Sequence, residues 1–129
     1  MAGWDDLVSY VRVRYEVMRQ DDDELWFNLP TPGDRTQLVA VRRVTGGDGH
    51  PWAQISSPIG RAAELDLARM LELAAECVVG GIASVDGVAV FRHSITLEET
   101  SVAAFERPFR LVVEVADRIE EELTGADVH

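Results

Sequence analysis

The stretch "GGIASVDGVAVFRHSI", Gly80 to Ile95, constrains the fold of this chain more than any other. Asp86-Gly87 is a strong hairpin signal, because a two-residue type I′ turn needs positive φ at both central positions. A turn there pairs Val85 with Val88, Ser84 with Ala89, Ala83 with Val90 and Ile82 with Phe91. One face of the ribbon then carries Ala83, Val85, Val88 and Val90, and the other Ile82, Ala89, Phe91, His93 and Ile95. A hairpin with one wet side alternates apolar and polar residues, whereas this one is apolar on both sides through its centre. The expectation is that both faces are covered.

The chain's own helices would cover one face and a second copy of the chain the other, and the helices are legible on either side. Trp4, Leu7, Val8, Val11 and Tyr15 fall at helical spacing, with Asp5 and Asp6 where acids suit the positive end of the helix dipole. Near the other end, Val102, Phe105, Phe109, Val112, Ala116, Ile119 and Leu123 recur at steps of three and four, one stripe of a long helix. Thr100 or Ser101 caps its start and Gly125 terminates it. Pro108 either kinks this helix or marks its restart after a short first turn. A third helix is predicted in "AAELDLARMLELAAEC", with Leu67, Met70, Leu71, Ala74 and Val78 along one broad stripe and Gly80-Gly81 as its stop.

Between the first two helices lie strand formers. Val17 and Met18 begin extended chain, Asp21–Asp23 make a turn or bulge, and Leu25–Leu29 continues the strand. Thr36–Val44 reads as a second strand after the turn "TPGD", and Trp52–Ser57 as a short third one closed by Pro58 and Gly60. The order is helix, three strands, helix, two strands, helix: an α+β single domain over residues 1–129 with a mainly antiparallel sheet.

Composition narrows the role. The 129 residues carry 12 basic and 23 acidic side chains, a net charge of -11, which repels a phosphate backbone and argues against nucleic-acid binding. Every cation is arginine, so Schiff-base chemistry and the phosphate-loop lysine are both excluded. No apolar run approaches the roughly 20 residues of a bilayer helix. The opening "MAGWDDLVSY" is not a secretory signal, and the single Cys77 has no disulfide partner. A cytoplasmic location with no membrane partner is expected.

No catalytic, cofactor or metal constellation stands out. His93, with Glu98 or Glu99 as its carboxylate, could do acid/base work, making a small enzyme the alternative function, and Cys77 with His93 is the other conceivable pair. Ser94 points to the other strand face, and Cys77 ends an apolar helix, away from the cationic setting a reactive thiol needs. "DDDE" at Asp21–Glu24 lacks the ligand spread of a calcium loop, and "GGDGHP" lacks the lysine and following helix of a phosphate loop. Three scattered histidines and one cysteine make no zinc set. Trp26, Phe27 and Trp52 either pack across strands or leave one tryptophan exposed as a partner anchor.

Taken together, "SSPIG", "LARMLELAAECVVGGIASVDGVAVFRHSITLE" and "FERPFRLVVEVADRIEEEL" resemble the type III secretion chaperone-like fold, and especially its YbjN-type bacterial branch. The resemblance implies a homodimer with the second helix and neighbouring strands at its interface and the first and third helices on the opposite sheet face. Carried onto this chain, the dimer or partner surface comprises Leu67, Met70, Leu71, Ala74, Val85, Val88 and Val90. It implies a non-enzymatic, chaperone-like or regulatory module that holds a protein or peptide on apolar patches, with no cofactor.

Overall fold

Helix α1 (Trp4–Arg14) begins where the Asp6 carboxylate accepts a hydrogen bond from the Gly3 amide at 3.1 Å. Its apolar stripe, Trp4, Leu7, Val8 and Val11, is buried, and Tyr15 follows in extended conformation. The computed structural model describes residues 3–31, 35–78, 80–98 and 101–124. After α1 come β1 (Glu16–Gln20), β2 (Glu24–Thr31), β3 (Arg35–Thr45) and β4 (Pro51–Arg61). A single 3-10 turn (Ala62–Glu64) leads to α2 (Leu67–Ala74), then β5 (Gly81–Val85), β6 (Val88–Thr96), a second 3-10 turn (Val102–Phe105) and α3 (Glu106–Thr124).

The architecture is the expected α+β, with one strand more than the sequence suggests. Asp21–Asp23 is a full turn that separates β1 from β2. It is braced by Arg43, whose guanidinium donates to the Asp23 carboxylate at 2.8 Å and to the Asp22 carbonyl at 3.3 Å. The strands form one six-stranded antiparallel sheet in the order β1-β2-β3-β4-β6-β5. Because β5 lies beyond β6, it runs parallel to β4, and the connection between them must cross over; α2 sits on that crossover.

The core lies on one face of the sheet. Leu25, Phe27 and Leu29 of β2, Val39 and Val41 of β3, Ala53, Ile55 and Ile59 of β4, and Ala89 and Phe91 of β6 all point into it. α1 and α3 close it from above, with Phe109, Val112, Ala116 and Ile119 fully buried as their spacing predicts. Tyr15 stacks on Phe27 at 5.4 Å between ring centroids, and Phe109 meets the same ring edge-on at 5.5 Å. Pro108 marks a restart, not a kink. It stands in the first turn of α3, behind the 3-10 turn, where its missing N–H would have had no helical partner. Thr100 and Gly125 lie outside the described residues.

Two boundaries differ from expectation. β4 does not close at Pro58 but continues to Arg61, with a bulge between Pro58 and Gly60. Its ladder with β3 ends at Ser56, so beyond that point a proline interrupts nothing on that side. Side chains take over there: the Gln37 amide donates to the Ser57 hydroxyl at 3.0 Å and the Pro58 carbonyl at 2.8 Å, and Ser57 donates to the Leu38 carbonyl at 2.7 Å. α2 is also shorter than its composition suggests, ending at Ala74. Gly80 therefore does not cap it. Gly80 adopts φ +81° where the chain crosses the Phe91 ring, and a Cβ there would lie 2.6 Å from that ring.

Candidate docking face

The hairpin forms in the predicted register, with Ile82, Ala83, Ser84 and Val85 facing Phe91, Val90, Ala89 and Val88. Asp86 and Gly87 both have positive φ, 50° and 83°, as a type I′ turn requires. Ile82, Ala89 and Phe91 enter the core, which places Ala83, Val85, Val88 and Val90 on the opposite side of the sheet. No helix of the described residues packs on that side. The expectation that both hairpin faces are covered thus holds for one face only within the chain, and Val85 is 44% exposed.

The open face extends across the whole sheet. Following the pairing from strand to strand, Arg19, Trp26, Ala40, Ser56, Arg92 and Gly81 form one transverse row. Asn28 and Leu38 on β2 and β3, and Pro58, Val90 and Ala83 on β4 to β5, form the next. Glu24, Arg42, Gln54 and Ser94 form the row on the other side. Together these rows shape a shallow concavity of about 580 Å³, floored by Trp26, Leu38, Ala40, Pro58, Val88 and Val90. Apolar residues at alternate positions of β2 and β3, where a wet face would be polar, are the sequence signal that could have extended the site beyond the hairpin. Arg42 and Arg92 gave no such signal.

The candidate surface residues divide. Val85, Val88 and Val90 share the open face, with Val90 nearly buried there. Leu67 and Leu71 are exposed on α2, and Ala74 is half-buried. Met70 does not reach the surface: with Leu73 it packs into the chain's own core. The predicted single stripe of α2 is split because the helix rests by one side on the core and leaves Leu67 and Leu71 outside. Both tryptophans in question lie half-buried on the open face, Trp26 donating its indole N–H to Glu24 and Trp52 donating to Asp48 at 3.3 Å.

His93 is half-buried on the core-facing side of β6, opposite Ile55. Glu98 does not pair with it; its carboxylate lies 3.3 Å from Nδ1 of His50. Glu99 lies outside the described residues. Ser94 is on the other face, as strand alternation requires. Cys77 is half-buried past the end of α2, with Arg118 donating to its sulfur at 3.8 Å. Among the described residues no cluster of His, Cys, Asp and Glu could hold a metal ion.

The most perturbed ionisable groups brace the helix layer. Glu106, at the start of α3, accepts hydrogen bonds from Tyr15 and from Tyr10 (3.1 Å), and Arg110 donates to it at 3.0 Å. Burial pushes the Glu106 carboxyl up, but those bonds and the arginine outweigh it and hold the pKa below the usual glutamate value. Burial and the Glu106 carboxylate push both tyrosines up. The cluster ties α1 and the residue that follows it to α3, on the helix side of the sheet.

No protein-family model matches the chain, and no curated protein matches it. Among solved structures, it is similar to a chain of the HopA1–SchA chaperone–effector complex, with 13% sequence identity and a TM-score of 0.60. The similarity covers 91% of this chain and 89% of the other. The α+β sheet-and-helix arrangement is therefore one that also occurs in a chaperone–effector complex. Among the described residues no helix is long and apolar enough to cross a membrane.

Proposed function

We propose that the chain is a non-enzymatic protein-binding module, chaperone-like or regulatory, of the YbjN-type branch of the type III secretion chaperone-like fold, working as a homodimer in the cytoplasm. The observation that carries this is the apolar sheet face with no helix over it, opposite a complete core. A half-buried apolar floor left without a covering helix supports an interaction surface there. The fold likeness to a chain of a chaperone–effector complex supports a protein as the occupant. Self-association engages the hairpin end (Val85, Val88, Val90) together with Leu67, Leu71 and Ala74 of α2, while the centre of the sheet receives a segment of another protein. The alternative enzyme, with His93 and Glu98 as acid and base, gains no support from their placement, since Glu98 faces His50.

The test measures mass and holding activity together. Light scattering coupled to gel filtration gives the mass at micromolar concentration. Turbidity of a reduced, aggregating insulin solution gives the holding activity. The wild type is expected as a dimer that suppresses turbidity. Val88→Asp lowers the mass, and Leu38→Asp, at the centre of the face, lifts the suppression while far-UV circular dichroism stays unchanged. A monomeric wild type refutes the dimer; suppression equal in wild type and Leu38→Asp refutes the docking face.

A further inference from the structure

The sequence carries -11 net charge, so an average patch of its surface is acidic. The concavity reverses that sign. Its charged lining is Arg19, Arg42 and Arg92 against Glu24 and Asp86. Glu24 is engaged by the Trp26 indole and Arg19 faces Asp21 at 3.6 Å, while Asp86 sits out in the hairpin turn. Among the described residues neither Arg42 nor Arg92 pairs with a carboxylate. Two uncommitted guanidinium groups thus stand over an apolar floor on an otherwise acidic protein.

Resting on the docking reading above, we infer that the occupant of the face is an acidic protein segment, an apolar side chain flanked by two carboxylates, clamped between Arg42 and Arg92. Arg42 on β3 lies opposite Gln54 and Arg92 on β6 lies opposite Ser56, so the arginines straddle β4 two residues out of line. Strand spacing and rise put their backbones roughly 12 Å apart. In an extended chain, residues i and i+4 share a face about 13 Å apart, with i+2 pointing the same way between them. Carboxylates at i and i+4 therefore meet the two guanidinium forks, and an apolar residue at i+2 drops onto β4 between Gln54 and Ser56, with Ala40 beside them. A second copy fits poorly over the same centre. Two-fold pairing sets each patch against itself, crowding the arginines of both copies together with Glu24 already occupied.

The probes are fluorescein-labelled peptides of about a dozen residues, long enough to span the face, built on glutamate-serine-leucine-serine-glutamate. Matching peptides carry glutamine or lysine in place of glutamate, and a labelled single-stranded oligonucleotide is titrated in parallel by anisotropy. The glutamate peptide is expected to bind about tenfold tighter than the glutamine one, the size two partly exposed ion pairs supply, with the margin shrinking as salt rises. The double variant Arg42→Glu/Arg92→Glu should reverse the preference towards the lysine peptide. Equal binding of the glutamate and glutamine peptides, abolished by Leu38→Asp, overturns the acidic occupant and leaves the docking face standing. Failure of every peptide to bind overturns both. Tighter binding of the oligonucleotide than of the glutamate peptide assigns the arginines to phosphate and overturns the inference.

Discussion

Gly80 gives the sharpest quantitative handle on the turn that delivers β5 to the open face. Alanine at this position meets two separate costs. A φ of +81° is left-handed, which costs an L-residue about 1–2 kcal/mol. The new Cβ would also lie 2.6 Å from the Phe91 ring and 2.9 Å from the Arg92 carbonyl. Phe91 is fully buried and Arg92 is held in the β6 ladder, so neither can retreat without disturbing packed structure. Overpacking of this kind costs about 1–3 kcal/mol. Gly80→Ala should therefore destabilise by roughly 2–5 kcal/mol, read in urea as a midpoint lowered by about 1–3 M at an unchanged slope. Two controls divide the sum. Gly87→Ala meets the same backbone strain at φ +83° with no atom within 4 Å, so it should cost only about 1–2 kcal/mol. Gly81→Ala has neither problem and should stay within about 0.5 kcal/mol of wild type. A Gly80→Ala penalty no larger than that of Gly87→Ala would refute the clash, and equal penalties at Gly80 and Gly81 would refute the whole assignment.

Two further outcomes test the supports of the site. Glu106 has its folded pKa below the ordinary value, so its contribution is present above about pH 4.3 and lost as pH falls through the folded value. Glu106→Gln should thus cost about 1–2 kcal/mol near neutrality and much less near pH 3 in urea titrations, and an equal gap at both pH values counts against the charge-assisted cluster. Tyr10 and Tyr15 have raised pKa values, so the same bonds weaken only as pH rises above about 10. Gln37→Leu leaves the buried Ser57 hydroxyl and the Pro58 carbonyl without their amide donor, for an expected loss of about 1–3 kcal/mol in thermal or urea unfolding. No measurable loss would mean that the carbonyl finds another donor.

What the sequence discloses follows from whether the deciding force is local. The stripes of α1 and α3 were legible because each apolar position repeats with the helix period against one common core. The hairpin register was legible because the Asp86-Gly87 turn leaves only one pairing that keeps Ile82 and Phe91 on the same face. The boundary at Pro58 was not, since a proline in β4 is tolerable only where the β3 ladder has already ended, and that depends on a neighbouring strand. Gly80 looked like a helix stop because glycine serves both there and at close approaches, and only the Phe91 ring distinguishes the two. On the candidate face, the valines of the hairpin could be singled out by their unbroken apolarity. Arg42 and Arg92 could not, because their nearness is created by β4 lying between β3 and β6 rather than by any spacing along the chain.

The same asymmetry bears on how far the fold likeness reaches. An arrangement shared at 13% identity is one whose periodic core pattern survives while nearly every individual side chain changes. Core positions tolerate such exchange as long as volume and patterning are kept. The open face is less constrained in this way, since Trp26, Leu38, Ala40, Pro58 and Val88 there are only half-buried. Its combination of an apolar floor with arginines that pair with no carboxylate among the described residues is not what the sheet needs for folding: a wet face is satisfied by polar side chains, and placing Trp26, Leu38 and Val88 there gains the isolated chain little. On the docking reading proposed above, the charge of an occupant should be sought in Arg42 and Arg92 rather than in the acidity of the chain as a whole.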